Sequence, residues 1–250
     1  MKITIITATY NSADTLQPCM QSVAVQNYED LEYVIVDGCS KDDTVSLIKE
    51  NQMQFANLQW ISEPDKGIYD ALNKGIAMAS GDVIGFVHSD DFLADPTIIS
   101  QIMAEFKNEE VQGVYGDLHY IDKNNQNKVI RTWKSCAFKP KLLQQGWMPP
   151  HPTLFLKKEI YQTHKGFNLD YKIAADYDFM LRVLQDPKFK FSYLPQVITK
   201  MRVGGASNKS LKNIIAKTKE DYSAIKKNKL SYPIWVLCAK NISKIPQFLK

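Results

Sequence analysis

Four aspartates fall at or just beyond the ends of strand-like segments in the first ninety-one residues. Asp37 closes the second such segment, Asp65 follows the third by three residues, and Asp90 and Asp91 follow the fourth. A single aspartate in such a place is often a turn or cap residue. A succession of them points to a ligand site, because open parallel sheets bind ligands beyond the carboxyl ends of their strands. The adjacent carboxylates of Asp90 and Asp91 repel each other, and a cation is what allows both to stay charged near a pocket. Oxygen ligands without a His/Cys set favour a hard metal, Mg²⁺ or Mn²⁺, which completes its shell with water and phosphate oxygens. The chain has no Gly-x-x-x-x-Gly-Lys-Ser/Thr loop and no Gly-x-Gly-x-x-Gly after its first strand, so a metal rather than a glycine cradle must hold any phosphates.

The elements that must position these groups alternate. Residues 2–8 are rich in β-branched side chains and read as a buried strand. Asn11 and Ser12 offer a helix start, with Asp14 in the first turn of a helix to about residue 26. Strands follow at 32–37, 58–62 and 82–87, and helices at 44–55, 69–79 and 96–107. In the third helix Tyr69, Leu72, Ile76 and Ala79 are spaced for one face. Such alternation implies a mostly parallel sheet covered on both faces. Beyond it, 111–121 and 128–134 read as a hairpin across the turn-forming 122–127. A proline-rich loop, a short helix at 176–185, one or two strands over 189–203, and tail helices at 207–228 and 234–242 complete the reading.

Five stretches carry a resemblance. Ile5-Ile-Thr-Ala-Thr-Tyr-Asn11, Val34-Ile-Val-Asp-Gly-Cys-Ser-Lys-Asp-Asp-Thr44, Glu63-Pro-Asp-Lys-Gly-Ile-Tyr-Asp-Ala-Leu-Asn-Lys-Gly75, Gly81-Asp-Val-Ile-Gly-Phe-Val-His-Ser-Asp-Asp91 and Ala175-Asp-Tyr-Asp178 stand in one order and spacing. Together they resemble the family 2 glycosyltransferases, the inverting GT-A class, over roughly residues 1–205. The resemblance implies a Rossmann-like α/β fold with a mixed, mostly parallel sheet, helices on both faces and a basic helical extension. It implies a GT-A domain over 1–206, with a nucleotide-binding half to 107 and an acceptor half from 108, followed by the tail at 207–250.

The same resemblance assigns roles. Thr7, Thr9 and Asn11 are expected near the nucleoside and its phosphates. Asp37 and Asp65 are expected at the base or ribose, with Lys66 and Gly67 on the second loop and Asn73 on the helix after it. Lys74 suits either a diphosphate contact or a solvated helix face. Asp91 is similar to the family's direct metal ligand, with Asp90 towards the ribose and phosphates. Asp176 is the expected general base, although Ala175 replaces the glutamate that precedes it in the family. Asp178 competes with it, or else pairs with Arg182 four residues on. Loops similar to the one after Arg202 lie near the diphosphate. Inverting transfer then needs one carboxylate to deprotonate the acceptor hydroxyl and a metal to stabilise the departing phosphate.

Other residues stay open. His151 borders a loop suited to an acceptor site or to a structural role, and Trp147 suits a sugar platform or core packing. His88 precedes the acidic pair and reads as well as a buried, hydrogen-bonded side chain. Two carboxylates alone would also suit a glycoside hydrolase, which leaves the strand-end acids unexplained. A nucleotidyltransferase lacks its glycine-rich basic signature here. A catalytically silent nucleotide-sugar or glycan-binding protein is the alternative from another class. The Gln-x-x-Arg-Trp signature of processive members is absent, which argues for transfer of a single sugar.

Composition fits this reading. The chain has 250 residues, 44 % hydrophobic and 23 % charged, ordinary for a globular protein. No secretion-signal pattern or membrane span is expected, since the strongly apolar run at 232–239 is short and holds a proline. The four cysteines lack pair spacing, which suits a reducing compartment, the cytoplasm. The net charge of +4 hides a split: residues 209–250 hold ten lysines and two acids, Glu220 and Asp221, so the tail is +8 and the rest −4. Lys212, Lys217, Lys219, Lys226, Lys227 and Lys229 could meet an anionic membrane, with residues 234–237 dipping into its interface. Packing on the body is the other reading. The tail has no arginine, which argues against nucleic acid. The expected partners are a nucleotide-sugar donor, most simply a UDP-sugar, and a glycan or lipid-linked glycan acceptor. Oligomeric state is open.

Overall fold

The computed structural model describes residues 1–204 and 211–244. The first half is a run of strand–helix units: β1 (Ile3–Thr9), α1 (Ala13–Ala24), β2 (Leu31–Asp37), α2 (Thr44–Asn51), β3 (Leu58–Ser62), α3 (Ile68–Met78) and β4 (Val83–Phe86). Strands β3, β2, β1 and β4 lie side by side and parallel. Every residue of β1 is buried, because helices cover both of its faces. Ile3 and Ile5 pack towards Leu16, Cys19 and Met20 of α1. Ile6 and Ala8, on the opposite face, pack with Ala71 and Leu72 of α3.

The sheet continues through β5 (Asp91–Leu93), β6 (Val111–Ile121), β7 (Val129–Trp133), β8 (Phe155–Lys157) and β9 (Lys190–Arg202), with α4 (Ile98–Glu105), α5 (Lys158–Thr163) and α6 (Ala175–Leu184) between them. The order is β3-β2-β1-β4-β8-β6-β9-β5, with β7 paired to the outer part of β6. Here the pairing is mixed: β8 runs antiparallel to β4 and β6, β5 antiparallel to β9, and β6 parallel to β9. The expected hairpin is present as β6 and β7. Residues 189–203 form one long strand rather than two, and β5 and β8 are short strands that periodicity does not announce.

Two tail helices, α7 (Leu211–Lys227) and α8 (Pro233–Ile242), close the fold. Ala224, Ile225, Leu230 and Val236 are buried in the same apolar cluster as α3 and α6. Lys240 of α8 and Asp221 of α7 form an ion pair of 2.7 Å with both side chains 4 % exposed. The tail therefore packs on the body. This splits the apolar quartet expected to face a membrane: Val236 is in the core and Leu237 packs against it, while Ile234 and Trp235 are 68 % and 65 % exposed. Position 212 lies outside the residues whose side chains are described, as does the start of the expected tail helix at 207–210. No helix among the described residues is long and apolar enough to cross a membrane.

Candidate functional site

At the carboxyl ends of β1 and β2 the loops are tied to each other by side chains. Asn11, left-handed at φ 48°, accepts from the Lys41 amide at 2.8 Å and donates its own amide to the Ser40 hydroxyl at 2.8 Å. Asp37 is buried, and its carboxylate accepts from the Ser40 amide and hydroxyl and from Ser62 Oγ at 2.6 Å. It shapes the loop and offers little surface to a ligand. Asp65, half-buried, lies over Gly38, where a Cβ would meet its Oδ2 at 2.5 Å and the exposed Tyr10 ring at 3.4 Å. Tyr10, Gly38 and Asp65 thus meet where the loops after β1, β2 and β3 come together. Gly67, at φ 114°, accepts no ordinary side chain without strain and starts α3, its amide donating to Asp65 at 2.8 Å. Lys66 is exposed on the same loop, its amide bonded to Asp70.

Some of the expected nucleotide contacts lie elsewhere. Thr7 is fully buried and donates to the Val87 carbonyl at 2.7 Å, so it clamps β1 to β4 inside the core. The reason is strand parity: odd residues of β1 face α1, not the pocket. Thr9 shares that face at the strand end, with a buried hydroxyl that has no partner. Asn73 uses its amide on the backbone of Phe167, accepting at 2.9 Å and donating at 2.8 Å, and so holds the 166–168 turn on α3. Lys74 pairs with Glu63 at 2.9 Å and donates to the Pro64 carbonyl, the solvated-face reading.

The acidic pair sits between β4 and β5. Asp91 begins β5 and is fully buried. Its Oδ1 accepts from the Arg202 amide at 3.2 Å, and its Oδ2 has no partner. Burial, then the charge of Asp90, pushes this carboxyl well above the usual range. Arg202, itself buried, donates to the Asp90 carbonyl at 2.7 Å and lies over the Phe92 ring, so it braces the backbone of the pair. No hydrogen bond or ion pair joins the Asp90 side chain to another among the described residues. A divalent cation fits here, because a buried carboxylate oxygen without a partner is costly unless something binds it. No group of three or more His, Cys, Asp or Glu among the described residues could hold the ion alone. The remaining ligands would be phosphate oxygens and water.

Asp176 stands in the first turn of α6, where the helix dipole favours a negative charge. Its Oδ1 accepts from Tyr69 Oη at 3.1 Å, and the same hydroxyl reaches the Ile173 carbonyl at 2.7 Å. Burial and the charge of Asp176 keep that tyrosine protonated. Asp178, by contrast, is 2 % exposed and both its oxygens are occupied, by Arg182 Nε at 2.9 Å and Asn228 Nδ2 at 2.9 Å. The competing base is thus a buried structural ion pair, not a surface one.

Two imidazoles, buried His151 and half-buried His88 two residues before Asp90, have ring centroids 5.9 Å apart. Burial lowers both, His151 to about 4, against the opposing pull of Asp176. Both rings are neutral at pH 7, and neither nitrogen of His151 has a hydrogen-bond partner in the protein. Asp90 and Asp176 both act electrostatically on His88. Trp147 is half-buried, stacked on Phe138 and edge-on to Tyr115.

One important residue escapes a motif reading. Glu220 of α7 accepts from the backbone amides of Lys172, Ile173 and Ala174 at 3.1, 2.8 and 2.9 Å. It fastens the segment that leads into α6, two residues before Asp176. Its only sequence signal is that it and Asp221 are the two acids in a tail of lysines.

Residues 4–173 match the model of glycosyl transferase family 2. The chain is 34 % identical over 182 residues to an uncharacterised glycosyltransferase of Mycobacterium tuberculosis, covering 72 % of this chain and 68 % of that one. It is 30 % identical over 207 residues to a PGL/p-HBAD biosynthesis glycosyltransferase of Mycobacterium bovis, covering 82 % and 78 %. Among solved structures, Staphylococcus aureus TarS 1–349 superposes with a TM-score of 0.70 at 16 % identity, covering 98 % of this chain and 73 % of that one. The Pyrobaculum calidifontis mannosyltransferase PcManGT, solved with GDP-Man and Mn²⁺, superposes with a TM-score of 0.68 at 19 % identity, covering 96 % and 68 %.

Proposed function

The chain belongs to glycosyl transferase family 2, and we propose that it moves one sugar from a nucleotide-sugar, a UDP-sugar, to a hydroxyl of a glycan or lipid-linked glycan with inversion. The observation that carries this reading is the buried Asp91 carboxylate beside Asp90, with one oxygen on the Arg202 amide and the other without a partner. The structure of TarS solved with UDP-GlcNAc supports the choice of donor. The nucleoside binds where Tyr10, Gly38 and Asp65 meet, with Asn11 and Asp37 holding the loops. Asp91 would hold a divalent cation, Mg²⁺ or Mn²⁺, with Asp90 towards the ribose and phosphates; when bound, the ion would supply Lewis-acid stabilisation of the departing phosphate. Arg202 keeps the pair's backbone in place.

Asp176 accepts the proton of the acceptor hydroxyl as that oxygen attacks the anomeric carbon. Tyr69 orients its carboxylate by donating to one oxygen and leaving the other free to act. His88 and His151 stay neutral at pH 7 and so add no positive charge that would weaken the base. The tail offers a peripheral membrane contact, with exposed Tyr232, Ile234 and Trp235 beside the exposed lysines at 226, 227 and 229.

The test is nucleotide release from a panel of UDP-, GDP- and dTDP-sugars. Asp176→Asn should lower the rate roughly 10²–10⁴-fold, the usual contribution of a general base, with UDP affinity unchanged. Full activity in that variant would remove Asp176 from the chemistry. No turnover of any donor by the native protein, with nucleotide binding intact, would favour a catalytically silent binding protein.

A further inference from the structure

Beside the acceptor face a cavity of about 250 Å³ opens between β7, residues 146–148 and α8. Its wall joins aromatic rings to cations. Trp133 and Trp147 line it with Lys134, Lys240 and Lys244. Both rings are held by neighbours, Trp147 by Phe138 and Tyr115, and Trp133 by the Arg131 guanidinium at 5.7 Å. That guanidinium also covers Tyr120 at 4.4 Å. Held aromatic faces of this kind suit the apolar side of a sugar ring.

The cations exceed the anions. Lys240 is balanced by Asp221 at 2.7 Å. No ion pair joins Lys244, or its neighbour Lys217, to an acid among the described residues. Lys244 is largely out of solvent, and burial together with the charges of Lys217 and Lys240 pushes it down to about 8. Lysines crowded this way and partly dehydrated gain most from an anion that enters between them. The place also borders the helix of the proposed base, since Lys240 Nζ lies 3.2 Å from the ring centroid of Tyr177, the residue after Asp176.

We propose that this cavity is an anion subsite for the acceptor, taking a phosphate group through Lys244 while Trp133 and Trp147 meet the attached sugar. It rests on the reading of Asp176 as the acceptor-side base, and it adds that the acceptor is a glycosyl phosphate rather than a neutral sugar. Lys217 and Lys134 contribute to the field without a required contact. An uncharged glycoside would fill the aromatic part alone.

The experiment follows the indole signals of the full chain, labelled with ¹⁵N-tryptophan. The four tryptophans give four signals, with Trp133 and Trp147 assigned by single Trp→Phe variants. Glucose 1-phosphate should move those two and leave Trp60 and Trp235 in place. Methyl glucoside should bind about tenfold more weakly or not at all, and Lys244→Gln should weaken the phosphate about tenfold, the scale of one lost charge-assisted bond. The same variant should keep the UDP-induced thermal shift. Still signals at Trp133 and Trp147 in a protein that takes UDP would overturn the subsite while leaving the donor reading intact. Equal affinity in the Lys217→Gln/Lys244→Gln double variant would overturn it as well. So would a response only to anionic vesicles, seen at exposed Trp235, which would give these lysines to a lipid surface. Binding of glucose 1-phosphate with no response to any nucleotide would support the subsite and overturn the glycosyltransferase reading.

Discussion

Asp91 has one carboxylate oxygen on the Arg202 amide and another, equally buried, on nothing. Dehydrating an ionised carboxylate without a counter-charge is unfavourable, so the fold holds this group at a cost that a ligand relieves. Asp91→Asn should therefore raise the melting temperature of the metal-free protein while abolishing its metal-dependent response to nucleotide. A drop in stability would mean that Asp91 is structural. Glu32 is the opposite case, a buried acid with every neighbour arranged to keep it charged. Burial pushes it up, but the hydrogen bonds from Ser80, Thr4 and Lys2 prevail and hold it at about 2. Its folded value lies below the ordinary one, so its stabilisation is complete above about pH 4.5 and is lost as pH falls towards 2. That share is about 3 kcal/mol, and urea titrations of Glu32→Gln at pH 7 and pH 3 should show the gap to the native protein closing at the lower pH. Residue types at strand ends singled out Asp65, Asp90 and Asp91 in the sequence, and the family resemblance singled out Asp176. Thr7 and Asn73 were not, because a motif gives position along the chain while strand parity and a distant backbone partner decide where the side chain goes.

The element that matters most is α6, because it carries Asp176 and is held by a helix far along the chain. Orphan amides at a helix start need acceptors, and Glu220 serves the three that lead into α6. Asn228 adds a bond to Asp178 one turn further in. Glu220→Ala should lower the turnover rate about tenfold or more with little change in nucleotide affinity, since its hydrogen bonds go to residues 172–174 ahead of α6. The pattern of rate against affinity separates this from general unfolding, which would lower both, and Glu220→Gln should restore part of the rate. Long periodic elements such as β3 and β6 were legible to the residue from the sequence. The three-residue strands β5 and β8 were not, because they pair through neighbours supplied by β9 and β6 rather than through any period of their own.

At the scale of the molecule, the tail belongs to the body's core rather than hanging from it. Ala224, Ile225, Leu230 and Val236 sit in the cluster with α3 and α6, and the Asp221–Lys240 pair is sealed beneath them against the Tyr177 ring. Charge composition alone left open whether this segment packs on the body or faces a lipid surface, because the pattern concealed that its acids point inward. A chain truncated after residue 204 should lose cooperative unfolding and bind hydrophobic dye. Lys240→Met alone should cost about 3 kcal/mol, since it strands a buried aspartate. The central claim, a nucleoside diphosphate held through a cation at Asp91, is tested most directly by thermal unfolding of the full chain with UDP, with and without Mn²⁺, beside Asp91→Asn. The account predicts a rise of about 5 °C or more at a hundredfold excess over Kd, requiring both UDP and metal and absent in the variant. No shift with UDP, GDP or dTDP in the presence of Mn²⁺, or the same shift in Asp91→Asn, would contradict it.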